Sequence, residues 1–128
     1  MAKATKSLLQ KYCDPRANCN VLSCLMKNPR LLNSKDRPLD DTYFDTNKTH
    51  RALFLVIENL HQYGIESIKL GDIETYLSTH DQLTYKRFFE IGDESEWILE
   101  LLDLDVDEFN YEHYYNIVAK FAYLRAKI

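Results

Sequence analysis

A chain of 128 residues can bury one sizeable core, but with only three glycines and three prolines it lacks the turn residues that an all-β domain of hairpins needs. Its three cysteines, Cys13, Cys19 and Cys24, are odd in number and have no Cys-x-x-Cys spacing, which points to reduced thiols in a cytosolic protein and away from a disulfide framework or zinc site. The net charge of −4 hides a polarity: residues 1–37 carry eight Lys or Arg against two acids, whereas residues 88–119 carry ten acids and no Lys or Arg, a stretch that would repel phosphates.

In chain order, residues 3–12 read as a short helix with Leu8, Leu9 and Tyr12 inward. Asp14-Pro15 is an N-cap followed by proline at the first helical position, opening a helix to about Lys27 that buries Val21, Leu22, Leu25 and Met26. Asn28-Pro29 repeats the signal for a shorter helix through Leu31 and Leu32. Residues 33–46 form a loop whose Tyr43-Phe44 pair tucks under the next helix. That helix, 47–64, has the clearest signal: Asn47 caps it, Gly64 ends it, and Leu53, Val56, Ile57, Leu60 and Tyr63 share one face with Phe54 at its edge. A stripe this wide predicts the central helix of a helical domain.

An extended link through Ile65, Ile68 and Leu70 leads to a helix opened by Gly71-Asp72 and packed through Ile73, Tyr76 and Leu77. Asp81 caps another through Tyr85, Phe88 and Phe89, which stops at Gly92. Asp93 with Glu96 has the spacing of a capping box before Trp97, Ile98, Leu99, Leu101 and Leu102. After a breaker, 103–110, Asn110 opens the last helix with two apolar stripes, one of Tyr111, Tyr115, Val118 and Ala122, the other of Tyr114, Ile117, Phe121, Leu124 and Ile128. The expected architecture is all-α: a compact helical head, 1–92, and an antiparallel helical hairpin, 93–128, with more apolar surface than one neighbour can cover. No stop signal follows Lys127-Ile128, which suggests a piece of a longer chain, and no stretch approaches membrane-spanning length.

Chemistry-bearing patterns are sparse. Asp103-x-Asp105-x-Asp107 is similar to the opening of an EF-hand loop, but Glu108 stands where glycine is required and Tyr114 where a bidentate glutamate closes the site, so a solvated acidic turn is the better reading. There is no Gly-x-x-x-x-Gly-Lys, and the four histidines lack metalloprotease spacing. His50 reads as a buried, hydrogen-bonded structural histidine, and Glu112-His113 as a weak acid–base candidate. The helical spacing of the C-terminal aromatics, without interleaved arginines, indicates packing and not base stacking.

Four segments carry a family resemblance. Val21-Leu22-Ser23-Cys24-Leu25 is similar to a Val-Leu-Gly-x-Leu helix, with Ser23 for the glycine and Asn18 near a usual glutamate. Phe44 followed by His50-Arg51-Ala52-Leu53-Phe54 is similar to Phe-Tyr then His-Arg-x-Ile-Phe with one extra residue between; Gly64, Ile68, Ile73 and Leu77 follow the next segment. Tyr114-x-x-Ile117-Val118-x-x-x-Ala122-x-x-Arg125 matches a final-helix pattern. In this order, over residues 15–128, the chain resembles the N-terminal domain of DnaB-family replicative DNA helicases of bacteria and phages.

The resemblance implies a non-catalytic oligomerisation and primase-docking domain, with hairpins pairing across subunits into a trimer-of-dimers collar on a hexameric ring. It further implies no cofactor in this piece, since ATP and Mg belong to a RecA-like domain beyond the linker, absent here. Self-association would use Trp97, Leu101, Tyr114, Phe121 and Leu124, and Asp103, Asp105, Asp107 and Glu108 would form an acidic face toward a primase or helicase loader. Binding of DNA by this domain alone is expected to be weak, and its place is the bacterial replisome or the cytoplasm of a phage's host. The competing expectation is a free-standing helical adaptor or regulator, such as a helicase loader or inhibitor; a third is a small helical enzyme using Glu112 and His113.

Overall fold

The computed structural model describes residues 12–127, so the helix expected over 3–12, except Tyr12, and the terminal Ile128 lie outside the described residues. Among the described residues the fold is all-α, without strands. Its helices are α1 (Pro15–Lys27), α2 (Lys48–Gln62), α3 (Leu70–His80), the short α4 (Gln82–Tyr85), α5 (Glu94–Leu102) and α6 (Glu108–Arg125). Two 3-10 turns, Pro29–Asn33 and Asp41–Phe44, link α1 to α2, and a π turn, Lys86–Ile91, follows α4.

Most boundaries have the chemistry read from the sequence. The Asp14 carboxylate accepts the Ala17 amide at 3.1 Å, Asn47 Oδ1 accepts those of Thr49 and His50 at 2.9 and 3.1 Å, and Asp81 accepts that of Thr84 at 3.1 Å. Gly64 ends α2 at φ 87°, a conformation that costs a Cβ-bearing residue energy. Three boundaries differ. Helix α3 starts at Leu70, a residue expected in the extended link, because Asp72 reaches back to accept the Lys69 amide at 2.9 Å. Asp93 makes no side-chain cap, so the box with Glu96 does not form. The last helix starts at Glu108, two residues before Asn110, because Asp107 accepts the Asn110 amide at 2.9 Å and is the cap itself. Gly92 is required by space: a Cβ there would lie 2.7 Å from the Arg87 carbonyl, which accepts the Gly92 amide to close the π turn.

The helix at the centre is α1. It packs against α2, α5 and α6, and Val21, Leu22, Leu25 and Met26 are fully buried, as are or nearly are the polar Asn18, Asn20 and Ser23. Those three polar residues make α1 read as half-solvated, whereas α2, with its cleaner stripe, lies between α1, α3 and the 3-10 turns. Tyr63, assigned to the buried face of α2, is the C-cap and stands 68 % exposed, because the helix ends before its ring can turn inward. Phe44 does tuck beneath α2, stacking on Phe54 with centroids 5.0 Å apart.

A single core takes Phe88, Ile98, Leu101, Tyr111, Tyr115 and Val118 together with the residues of α1 and α2. At its C-terminal end Arg125, 9 % exposed, donates to the carbonyls of Tyr12 (2.7 Å), Tyr43 (3.1 Å) and Thr42 (3.3 Å), and pairs with Asp45 at 3.4 Å. The guanidinium thus fastens α6 to the Asp41–Phe44 turn. Replacing Arg125 by Met keeps the volume but strands these carbonyls, and is expected to lower the unfolding free energy by about 2–4 kcal/mol in urea denaturation. A loss below about 1 kcal/mol would show that water substitutes for the guanidinium.

Candidate functional site

Three of the five residues expected to self-associate, Trp97, Leu101 and Tyr114, line one groove of about 520 Å³ between α1, α5 and α6. Cys19, Leu104 and Val106 complete its apolar surface, and Arg16, Glu100 and Asp105 stand at its lining. Leu101 is 3 % exposed and belongs to the core, so its side chain is committed within the chain. Phe121 and Leu124, half-buried, lie further along α6 and outside the groove. The large apolar side chains that do stand out on these helices are Leu99, Phe109 and Tyr123, at 51, 81 and 62 % exposure.

Behind the groove, His50 lies flat against Trp97, with centroids 5.3 Å apart and rings inclined by 9°. Its Nδ1 is 3.3 Å from Asn18 Nδ2 and its Nε2 is 3.9 Å from Cys19 Sγ. With Asn18 donating to Nδ1, the Nε2 nitrogen carries the proton and faces the sulfur. The pair has the composition of a nucleophilic dyad but the opposite electrostatics. Burial pushes the Cys19 thiol up, against a smaller opposing hydrogen bond from Trp97, and lowers His50 to about 4. A reactive cysteine needs the reverse, a thiolate beside an imidazolium. His50 is therefore the hydrogen-bonded structural histidine that its helical position implied, joining α2 to α1 and, through Trp97, to α5.

Asp103, Asp105 and Asp107 are exposed on the turn between α5 and α6, beside half-buried Leu104 and Val106. Among the described residues no group of three or more His, Cys, Asp or Glu is placed to hold a metal ion. Glu112 pairs with Arg37 at 3.1 Å, while His113 turns to the edge of Tyr114, so the two do not converge on a common point. No helix among the described residues is long and apolar enough to cross a membrane. No protein-family model, curated protein or solved structure matches the chain.

The buried imidazole couples stability to pH. Below its ordinary value of 6.5 the unfolded chain takes up a proton that the folded chain resists until about pH 4. Stability due to neutral His50 is therefore complete above about pH 6.5, falls between 6.5 and 4, and is level below that. Urea denaturation followed by the fluorescence of Trp97, the only tryptophan, should show His50→Phe losing about 2 kcal/mol less than the parent chain between pH 7 and 4.5. Equal losses in the two proteins would mean that His50 is solvated in solution.

Proposed function

We propose that this chain is a non-catalytic oligomerisation and primase-docking domain of a hexameric replicative DNA helicase of the DnaB type, in which α5 and α6 form the hairpin that pairs with another subunit. The reading is carried by the outward apolar side chains of these two helices. Leu99, Phe109 and Tyr123 remain exposed although α5 and α6 already rest on α1. Lone exposed hydrophobics are common, but three on consecutive helices that also carry half-buried Trp97, Tyr114, Ile117, Phe121 and Leu124 offer a surface whose burial would be favourable.

Further support comes from the last-helix pattern. Its Val118 and Arg125 face inward, and its Tyr114, Ile117 and Ala122 lie half-buried, so the pattern spans both the side of α6 that holds the fold and the side that a second subunit would cover. In this role Asp103, Asp105 and Asp107 present carboxylates to a basic partner such as a primase or loader, and the groove between α1, α5 and α6 gives an apolar contact beside them. The sequence offers no loop of amides with a lysine for phosphates, so nucleotide hydrolysis would reside in a further domain.

Phe109→Glu and Tyr123→Glu are expected to leave helical circular dichroism and melting nearly unchanged, within about 0.5 kcal/mol, while weakening self-association at least roughly tenfold in sedimentation equilibrium. Leu101→Glu, the contrasting case, should unfold the domain, because a carboxylate replaces a core side chain. A chain that stays monomeric at millimolar concentration would remove the collar role. For the docking half of the proposal, a primase encoded beside this gene should be retained by the immobilised parent chain and released by D103K/D105K.

A further inference from the structure

A second concave surface lies apart from the groove, formed by α2, α3, α4 and the π turn, with a volume of about 580 Å³. Four groups that are or can become cationic line it, Lys48, Arg51, His80 and Arg87, around an apolar floor that includes Ala52, Leu55 and Leu77. Their states differ. Arg51 is already held by Asp41 at 2.7 Å, and His80 packs on Tyr76, with centroids 4.7 Å apart. Among the described residues Lys48 has no ion pair, and the Arg87 guanidinium lies over the Phe88 ring, 5.3 Å from its centroid, with Nε buried and without a hydrogen-bond acceptor. The only carboxylate in the lining, Asp81, is occupied in capping α4, accepting from the Thr84 amide at 3.1 Å and its hydroxyl at 2.7 Å. In a chain of net charge −4 the lining of this surface is thus predominantly basic, and one of its buried donors has no acceptor.

The same molecule carries an anionic surface of matching form. Residues 103–107 leave the helix, and exposure alternates along them: Asp103, Asp105 and Asp107 are exposed, while Leu104 and Val106 pack against the core. Asp103 still has helical backbone (φ −89°, ψ −6°) and the Leu104 amide closes a turn on the Leu101 carbonyl at 3.2 Å, while Asp107 is extended, so the three exposed carboxylates form a short acidic row along one turn. Among the described residues none of the three has an ion pair, and only Asp107 spends an oxygen, on the Asn110 amide. The row is fixed from beneath, where Lys27 donates to the Leu104 carbonyl.

We propose that the cleft of Lys48, His80 and Arg87 receives the carboxylate row of Asp103, Asp105 and Asp107 from a second copy of the chain. Among the described residues no ion pair joins the two surfaces within one chain, and their opposite charges leave each free to meet its complement on another copy. It is heterologous: each copy keeps a free cleft at one side and a free row at the other, and repetition closes into a ring or extends as a filament according to the rotation between neighbours. A short row suits the cleft better than a long polyanion, because nucleic acid running past it would meet a surface that is acidic overall. This contact goes beyond the apolar pairing of α5 and α6 and shares with it the premise that copies of the chain meet; it uses the same carboxylates as the docking of a basic partner, so the two compete for Asp103 and Asp105.

Sedimentation of the full 128-residue chain separates the possibilities. Self-association through the cleft should weaken at least roughly tenfold between 50 and 500 mM NaCl, while pairing through Phe109 and Tyr123 should change little. K48E/R87E and D103K/D105K should each lose the salt-sensitive association. Mixed at equal concentration the two should regain it as a one-to-one complex, since their reversed charges meet at one interface. Because R87E introduces a charge at a partly buried position, K48E alone serves as the second cleft variant and should show the same direction. Association of any of these variants equal to the parent's, or a mixture that stays apart, would overturn the proposal. So would a cleft variant that keeps its self-association but loses binding to a single-stranded oligonucleotide, which would make the cleft a nucleic-acid site. Salt-sensitive association that survives Phe109→Glu would support the cleft contact while the apolar pairing fails, so the two stand or fall separately.

Discussion

Asn18, Asn20 and Ser23 lie on a helix buried on almost every side, and the arrangement of the other elements depends on their being satisfied there. Each buried polar group left without a partner would cost about 1–3 kcal/mol, a large share of a domain's stability. Asn20 is satisfied locally, donating to the Arg16 carbonyl at 2.8 Å. The other two reach outward: Asn18 bonds the His50 imidazole and so sets α2 beside α1, and Ser23 donates to the Leu101 carbonyl and so fixes the end of α5. Lys27 adds a donor to Leu104 one turn further along. The Leu101 carbonyl in the last turn of α5, which also accepts the Leu104 amide, and the Leu104 carbonyl just beyond the helix are thus met by side chains of α1, 78 and 77 positions away in sequence. Apolar contact supplies the driving force, but these bonds select one packing angle among many that would bury similar area.

Helix α2 could be read from its residues almost completely, because the Asn47 cap, the three- and four-residue apolar spacing and Gly64 act locally. The centrality of α1 could not, since its polar positions imply a solvated face until their partners on α2 and α5 are known. The same reason accounts for the π turn: nothing in 86–91 marks the wider helical winding, which places Phe88 in the core while leaving Arg87 Nε buried and unpaired. A helix start at Asn110 puts Phe109 in a loop, so the most exposed apolar side chain of α6 shows only once Asp107 is seen to be the cap. Helix α5 is apolar around much of its circumference, so spacing alone cannot say that Leu101 meets the core while Leu99 stands exposed. The basic cleft was invisible for a different reason: Lys48, His80 and Arg87 are scattered through the sequence and converge only when α2, α3 and the π turn pack.

The charge polarity of the sequence acquires a spatial form in the fold. Arg37 and Arg125 use their charges internally, the first against Glu112 and the second against Asp45 and three carbonyls. Among the charges of the described residues that make no ion pair are Lys48 and Arg87 on one surface and the carboxylates of 103 and 105 on another. On the proposed reading the chain therefore meets its neighbours in two ways of different character, apolar along α5 and α6 and electrostatic through the cleft. The first depends on area removed from water, and the second on ionic strength.

The packing of α1 against α6 also bears on the order in which the protein can be made. Synthesis delivers α1 before the other described helices, yet the helix it contacts most extensively is completed only at Arg125, roughly a hundred residues later. At translation rates of about 5–20 residues per second, Val21, Leu22, Leu25 and Met26 wait on the order of 5–20 s before α6 can cover them. The intervening α2 and α5 arrive sooner and offer partial shelter, but the carbonyls bonded by Arg125 stay open until the end. The earliest made of the described helices is thus among the last of them to become fully native, and its apolar face is open to aggregation during that interval.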